Sequence, residues 1–167
     1  PLVASAMDGV VSPETAVLVH KLGGLGVLNL EGIWTRFENA EEKLEEISRV
    51  PKEQATALMQ EIYETPVKKE LVAQRISEIK AEGAVVCGSF TPQSVQEYYE
   101  VAIEAGIDIL VIQGTVISAE HVSTTVEPLN LKEFIAEVPV PTVVGGCASY
   151  STGLHLMRTG AVGVLVG

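Results

Sequence analysis

The chain has 167 residues, of which 47% are hydrophobic and 20% are charged, a composition typical of a globular domain and not of a disordered segment. This length suits a single domain with a substantial core. The net charge of −11 argues against binding to nucleic acid or to anionic membrane surfaces, because both require basic patches. A phosphate ligand is still compatible with this charge, since backbone N–H groups hold phosphate locally.

Cysteine content and hydropathy favour a cytoplasmic protein. Two cysteines, Cys87 and Cys147, are too few for a disulfide framework, and no signal peptide is recognisable. No run of about 18 apolar residues is present, so we expect no membrane-spanning helix. Pro1 lies in an apparent strand and Gly167 ends another, so we expect both ends to continue in a longer polypeptide.

Six short apolar runs are predicted to be β-strands: residues 1–4, 25–30, 84–90, 107–112, 141–144 and 161–166. Continuous apolar runs suit parallel strands that are buried on both faces. Glycine precedes four of the runs, where it suits the left-handed residue that closes a helix, at Gly23–Gly24, Gly83, Gly106 and Gly160.

Helices are predicted between these strands. Ser12 and Thr91 each precede a proline, and an N-cap hydroxyl followed by proline starts a helix. The region 31–83 has room for two or three helices, with breaks at Pro51 and Pro66. Charged residues over 41–49 indicate a solvated helix face.

Six strand–helix units without a hairpin signal indicate an α/β protein with a parallel sheet. Two architectures fit: a doubly wound open sheet, or six of the eight units of a (β/α)₈ TIM barrel. No Gly-x-Gly-x-x-Gly motif follows any strand, which weakens the open-sheet interpretation. We therefore predict one domain over residues 1–167, an incomplete TIM barrel that holds strands 1 to 6.

Polar and small residues follow the predicted strands, where parallel α/β proteins bind ligands. These groups are residues 5–8, Asn29 and Glu31, Ser89 and Thr91, residues 113–115, and residues 145–147. Ser89 and Thr91 are readily explained as helix caps. Ser5 and Gln113 directly end buried strands, where no cap is needed yet, so they are binding candidates.

Several other residues allow two interpretations. Gly145 and Gly146 either admit a ligand close to the backbone or make a tight turn. Cys147 is either a nucleophile or, as we favour, an inert or ligand-lining residue, while Cys87 is expected in the core. In the cluster 34–38, an aromatic beside an arginine either clamps a base or phosphate or anchors the loop. The three histidines lie near no set of metal-ligand spacing, so no metal site is predicted: His20, His121 and His155.

Several motifs resemble the IMP dehydrogenase/GMP reductase family. Ser5-Ala6-Met7-Asp8 and residues 23–32 are similar to the opening of that family. Asn29-Leu30-Glu31-Gly32, with residues 34–38, 58–63 and 154–160, resembles its bacterial IMP-dehydrogenase-related branch. The resemblance covers essentially the whole chain. Residues 31–83 read as helices only, so we expect no regulatory CBS domains.

The resemblance implies a (β/α)₈ barrel that binds a purine nucleoside 5′-monophosphate and NAD (or NADP), in a homotetramer. The residues that it implies on the substrate side are Ser5, Met7, Gly145, Gly146 and Cys147. Those that it implies along the nicotinamide-ribose side of the cofactor are Gln113, Gly114 and Thr115.

The chain departs from the family pattern on the cofactor side. Gln113-Gly114-Thr115 stands where IMP dehydrogenases usually carry Asp-Ser-Ser, and Cys147 replaces an asparagine. Asn29 and Leu30 replace a histidine pair. These changes leave the cofactor and the reaction direction open. The resemblance implies that the nucleophilic cysteine lies just after Gly167, on a loop that also binds a monovalent cation, so no catalytic residue is predicted within the 167 residues.

The preferred function is therefore oxidation of IMP to XMP with NAD. Reductive deamination of GMP with NADPH is the nearest alternative. An FMN-dependent nitronate monooxygenase-like barrel shares Gln113-Gly114, although the expected Gly-Gly-His does not follow. A catalytically silent nucleotide-binding relative is the remaining alternative.

Overall fold

A computed structural model describes residues 2–114 and 129–167. The strands are β1 (Val3–Ala4), β2 (Leu25–Asn29), β3 (Cys87–Phe90), β4 (Ile109–Gln113), β5 (Thr142–Cys147) and β6 (Gly163–Val166). The helices are α1 (Pro13–Lys21), α2 (Ala40–Arg49), α3 (Lys52–Glu64), α4 (Lys69–Ala81), α5 (Val95–Glu104), α6 (Leu131–Glu137) and α7 (Tyr150–Met157). A 3₁₀ turn, Ile33–Thr35, follows β2.

The six strands form one sheet in the order β1-β2-β3-β4-β5-β6, and every neighbouring pair is parallel. In a doubly wound sheet the strand order reverses at a switch point, whereas a barrel adds its strands in sequence. The uninterrupted order confirms the predicted fold class, a partial TIM barrel with six strands.

Glycine closes the helices as predicted. Gly23, Gly83, Gly106 and Gly160 have φ values of 82°, 71°, 90° and 96°, all in the left-handed region. Only glycine adopts this conformation without a steric penalty, so these four residues fix the points where α1, α4, α5 and α7 end. In each case the next element of the described chain is a strand.

One of the two predicted helix starts is correct. Ser12 accepts a hydrogen bond from the Thr15 N–H at 3.0 Å and caps α1. The prediction for Thr91 is wrong, because α5 begins at Val95 after a turn. The Thr91 hydroxyl instead donates to Glu31 Oε1 at 3.2 Å, and its N–H donates to Oε2 of the same carboxylate. The hydroxyl thus contacts a distant carboxylate and Ser94 Oγ, at 3.0 Å, and caps no helix.

The region between β2 and β3 holds three helices, and the break before α3 is at Pro51 as predicted. Only Ala40 of α2 and Ile62 of α3 are buried, so these two helices lie at the surface with solvated charged faces. Helix α4 is the one that packs on the barrel, with five buried residues. Lys80 of α4 donates to Asp108 Oδ1 at 2.8 Å, which ties this helix to the start of β4.

The core lies mainly between the sheet and the helices, where alternate strand residues such as Leu28, Leu110 and Val144 are buried. A second, smaller cluster of Val27, Cys87 and Val111 lines the inner face of the sheet. Cys87 is therefore a core residue as predicted, and burial raises the pKa of its thiol to about 12. Among the helices of residues 2–114 and 129–167, none combines the length and apolarity that a bilayer crossing requires.

Candidate functional site

The carboxyl ends of the last three strands lie side by side at one edge of the sheet. The Gly114 N–H donates to the Gly145 carbonyl at 2.9 Å, and the Gly146 N–H donates to the Gly114 carbonyl at 3.1 Å. The Gly167 N–H donates to the Cys147 carbonyl at 2.9 Å. Backbone hydrogen bonds therefore bring the predicted cofactor-side and substrate-side segments into direct contact.

An open cavity of about 630 Å³ lies against the inner face of the sheet. Four predicted site residues line it: Ser5 and Gly146 from the substrate side, and Gln113 and Gly114 from the cofactor side. The described lining residues carry no charge, and most of them are apolar. A concave, mainly apolar surface with a few polar groups is typical of small-molecule sites.

The two glycines at the end of β5 admit the neighbouring strand. A Cβ at Gly145 would lie 2.5 Å from Leu165 Cβ and 2.7 Å from the Leu165 carbonyl oxygen. A Cβ at Gly146 would collide with the carbonyl oxygen of Gly167. Close approach of β6 thus explains why glycine is needed at both positions, while Gly146 also lines the cavity.

Two other predicted site residues, Cys147 and Met7, do not line this cavity. Cys147 is 3% exposed and belongs to the core on the helix side, where its Sγ would lie 3.5 Å from a Cβ at Gly153. This packing favours an inert role over a nucleophilic one. Met7 is 55% exposed beside the cavity segment that contains Ser5. Thr115 lies outside the described residues.

Arg36 anchors its loop through backbone carbonyl groups. Its Nε donates to the Glu31 carbonyl at 2.9 Å, and its Nη1 donates to the carbonyls of Tyr63, at 3.0 Å, and Thr65. The guanidinium also lies over the Tyr63 ring, 5.3 Å from the ring centroid. These contacts support loop anchoring over the alternative of a phosphate clamp.

Trp34 is buried and anchors the same loop. Its Nε1 donates to the Asp8 carbonyl at 3.0 Å, and the Arg75 guanidinium lies 6.0 Å from its ring centroid. Arg75, which is only 7% exposed, donates to the carbonyls of Trp34, Phe37 and Glu38 at 2.9, 3.3 and 2.9 Å. A buried indole held in this way is not free to stack on a base.

A hydrogen-bonded cluster around Asp8 was not predicted. Asp8 Oδ2 accepts hydrogen bonds from the Ile33 N–H, at 2.8 Å, and from the Tyr63 hydroxyl. The other carboxylate oxygen is buried and has no hydrogen-bond partner among the residues that the structure describes; a Cβ at Gly32 would collide with it. Burial, and then the bond to Asp8, raise the pKa of Tyr63 above its ordinary value. The sequence placed Asp8 and Tyr63 in two separate motifs of the family resemblance, but nothing in it predicted that the two side chains meet.

No cluster of three or more His, Cys, Asp or Glu side chains within residues 2–114 and 129–167 is arranged to hold a metal ion. His20 is half-buried on α1, and His155 is exposed on α7. His121 lies outside the described residues.

Fold and site together define a partial (β/α)₈ barrel whose candidate site lies at the carboxyl ends of its strands. The IMP dehydrogenase / GMP reductase domain model matches residues 1–167. The crystal structure of an IMP dehydrogenase/GMP reductase-like protein from Corynebacterium glutamicum superposes with a TM-score of 0.93 and 42% identity, over 100% of this chain and 45% of that one.

Uncharacterized oxidoreductases of Mycolicibacterium smegmatis and Mycobacterium tuberculosis are each 44% identical over 100% of this chain and 46% of their own length. One from Mycobacterium leprae is 42% identical over the same shares. The chain belongs to the IMP dehydrogenase/GMP reductase family, as its motifs predicted, and its relatives are oxidoreductases. It spans about half the length of the curated relatives that it matches.

Proposed function

We propose that the protein is a purine-nucleotide oxidoreductase that oxidises IMP to XMP with NAD. In this proposal, the present chain supplies the wall of the site that faces both nucleotide and cofactor. The observation that carries the proposal is the shared cavity, which Ser5 and Gly146 line together with Gln113 and Gly114. Substrate and cofactor must be in contact for a hydride to pass between them, and this shared lining would allow such contact.

The cavity suits the base of a purine nucleotide better than its phosphate. Purine faces are apolar, and the accessible lining near the strand ends offers Ala6, Leu165 and Val166. Ser5 is exposed and offers one hydroxyl that can donate to or accept from a polar edge. Since the described lining carries no cation, we expect backbone N–H groups or residues outside the cavity to hold the phosphate.

Gln113 and Gly114 would hold the nicotinamide end of the cofactor, with Thr115 added by the resemblance. When bound, the nicotinamide supplies the hydride acceptor. Gln113 is half-buried at the end of β4, and its amide can both donate and accept, which a carboxylate cannot. This replacement favours GMP reduction with NADPH as the second candidate, because it alters the cofactor side of the site.

The nucleophile of the proposed reaction is not one of the two cysteines of this chain. The Cys87 thiol, with its pKa raised to about 12 by burial, stays protonated at neutral pH. Cys147 is packed against α7. We therefore propose, as the resemblance implies, that a cysteine following Gly167 attacks the purine. A homotetramer is the assembly that we propose on the same ground, and light scattering of the full-length protein would measure it.

Absorbance at 340 nm tests the proposal on the full-length protein. A rise with IMP and NAD supports the proposed reaction, whereas a fall with GMP and NADPH supports the second candidate. Turnover in neither assay would refute both and leave the catalytically silent relative.

Single substitutions separate the two sides of the site. We expect Ser5→Ala to raise the KM for nucleotide about fivefold and Gln113→Ala to raise the KM for cofactor by a similar factor, the loss of one hydrogen bond. Ser77→Ala is the matched control, because its exposed hydroxyl donates to the Ala73 carbonyl of its own helix and to no other described residue. A Ser5→Ala variant whose nucleotide KM equals that of the wild type would contradict the assignment.

A further inference from the structure

We infer that Tyr63 is a positioning residue for the nucleotide side of the site and that it acts through Asp8. The inference rests on the proposed function, because it concerns the β1 tip, defined as residues 5–8, where Ser5 would meet the nucleotide. Tyr63 itself lies on α3, in a surface segment that contributes little to the barrel.

Helix α3 contacts the β1 tip directly. The Tyr63 hydroxyl donates to Asp8 Oδ2, across 55 residues of sequence. The Tyr63 ring is fixed by the Arg36 guanidinium above it, 5.3 Å from its centroid. Arg36 in turn donates to the carbonyls of Tyr63 and Thr65, so the end of α3 is held in place from both its side chain and its backbone.

Asp8 is also confined by the loop after β2. Oδ2 also accepts from the Ile33 N–H at 2.8 Å, while the Asp8 carbonyl accepts from Trp34 Nε1 at 3.0 Å. Oδ1 lies against Gly32, where a Cβ would collide with it, and it has no hydrogen-bond partner within residues 2–114 and 129–167. Ile33 and Trp34 belong to the loop after β2. Among the described hydrogen bonds to Asp8 from these two residues and Tyr63, the one from the Tyr63 hydroxyl comes from outside that loop.

Asp8 is joined to the candidate binding residues Ser5 and Met7 by a tight backbone turn. The Met7 N–H donates to the Ser5 carbonyl at 2.8 Å, and the Met7 carbonyl accepts from the Val11 N–H at 2.9 Å. Asp8 follows directly in this tight turn, so a shift of its carboxylate moves the Ser5–Met7 backbone. Small displacements of binding groups are costly for a positioned substrate.

A purely structural role for the Tyr63 hydroxyl would predict a different result. Tyr63 is 40% exposed, and α3 buries only Ile62, so the hydroxyl adds little to the core. Its removal should therefore change nucleotide binding more than it changes the stability of the fold.

Tyr63→Phe in the full-length protein tests the inference, with IMP and GMP as the probes in calorimetric titrations. We expect the Kd of the nucleotide that the wild type binds to rise about tenfold, with kcat retained and the nucleotide KM rising in parallel. Tyr99→Phe is the matched control, because within the described part of the chain its hydroxyl reaches only Glu100, at 3.4 Å, and the Kd should not change.

A double-mutant cycle tests the route through Asp8. In the Asp8→Ala background, which removes the acceptor of the Tyr63 hydroxyl, adding Tyr63→Phe should weaken nucleotide binding less than about twofold, because the two residues act as one unit. Thermal unfolding of every variant measures any change in stability separately from the change in binding.

The measurements separate failure of the inference, failure of the route through Asp8 and failure of the proposed function. Unchanged nucleotide binding by Tyr63→Phe overturns the inference and leaves the proposed function intact. Fully additive effects of the two substitutions overturn the route through Asp8. A wild-type protein that binds neither IMP nor GMP overturns the proposed function, and the inference with it.

Discussion

Replacing Gly145 with alanine separates two roles for the glycines at the end of β5: packing against β6 and close approach of a ligand. The new Cβ would lie 2.5 Å from Leu165 Cβ, 2.7 Å from the Leu165 carbonyl oxygen and 2.9 Å from its nitrogen. Two of these three atoms are backbone atoms of a hydrogen-bonded strand, so no side-chain rotation relieves the overlap. We therefore expect β6 to move away from β5.

The magnitude follows from the overlap and from the backbone conformation of Gly145. Overpacking a well-packed site costs about 1–3 kcal/mol, and the upper half of this range applies because backbone must move. Gly145 has a φ of 157°, which L residues with a side chain rarely adopt, so the more restricted unfolded chain of the alanine variant gives no compensating gain. The net loss of stability is about 2–3 kcal/mol. With an m-value of about 2 kcal/mol per molar urea, the unfolding midpoint of the ligand-free protein should fall by about 1–1.5 M.

Gly153→Ala is the matched control for this measurement. Gly153 lies within α7, and a Cβ there would meet only Cys147 Sγ, at the ordinary contact distance of 3.5 Å. Alanine in a helix interior is favoured over glycine by about 0.5–1 kcal/mol, so this variant should be more stable than the wild type. If Gly145→Ala left the urea midpoint unchanged without ligand and only weakened nucleotide binding, the packing argument would be refuted.

Three further predictions concern single side chains. Arg75→Met should lower the free energy of unfolding by about 3 kcal/mol in urea titrations, because three loop carbonyls over residues 34–38 lose their donor. A loss of less than about 1 kcal/mol would contradict this prediction. Burial acts to raise the pKa of Asp108, but hydrogen bonds from Lys80 and the Val86 N–H lower it overall. The stability that this carboxylate contributes is present above its unfolded pKa of about 3.9 and lost as the pH falls through the lower folded value. Wild type should therefore exceed Asp108→Asn at pH 5–7 by a margin that shrinks below about pH 4, and a constant margin would refute the assignment. Cys87 should resist alkylation at pH 8 until the protein unfolds, as peptide mapping by mass spectrometry would reveal, whereas rapid labelling of native protein would contradict its burial.

Local sequence signals predicted most of the fold. Glycine at positions such as Gly83 and Gly106 marks where a helix must end, and each of these glycines has the left-handed conformation that the prediction requires. The apolar runs that follow are strands of one parallel sheet. These features depend on residues close in sequence, so a single sequence suffices to find them.

Contacts between distant residues could not be predicted in the same way. Thr91 has the sequence of a helix cap, but Glu31, 60 residues earlier, takes both its hydroxyl and its N–H. Tyr63 reaches Asp8 across 55 residues, and although both lie in motifs of the family resemblance, no local pattern pairs them. The sequence leaves anchoring and ligand clamping open for residues 34–38, and the carbonyl contacts of Trp34 and Arg36 favour anchoring.

The candidate site combines both kinds of information. Strand ends locate Ser5 and Gln113 from sequence alone, because ligands bind at the carboxyl ends of parallel strands. Their common cavity depends on how the sheet curves, which local patterns do not specify. The packing of Cys147 against α7 likewise follows from the direction of one side chain at the end of β5.

A crystal structure of the full-length protein with IMP bound tests the central claim most directly. We predict that the purine lies in the cavity between Ser5 and Gly146, with the open side of the base facing Gln113 and Gly114. A nucleotide bound elsewhere, with this cavity empty or filled by protein side chains, would contradict the proposal that these strand ends form the purine-nucleotide site.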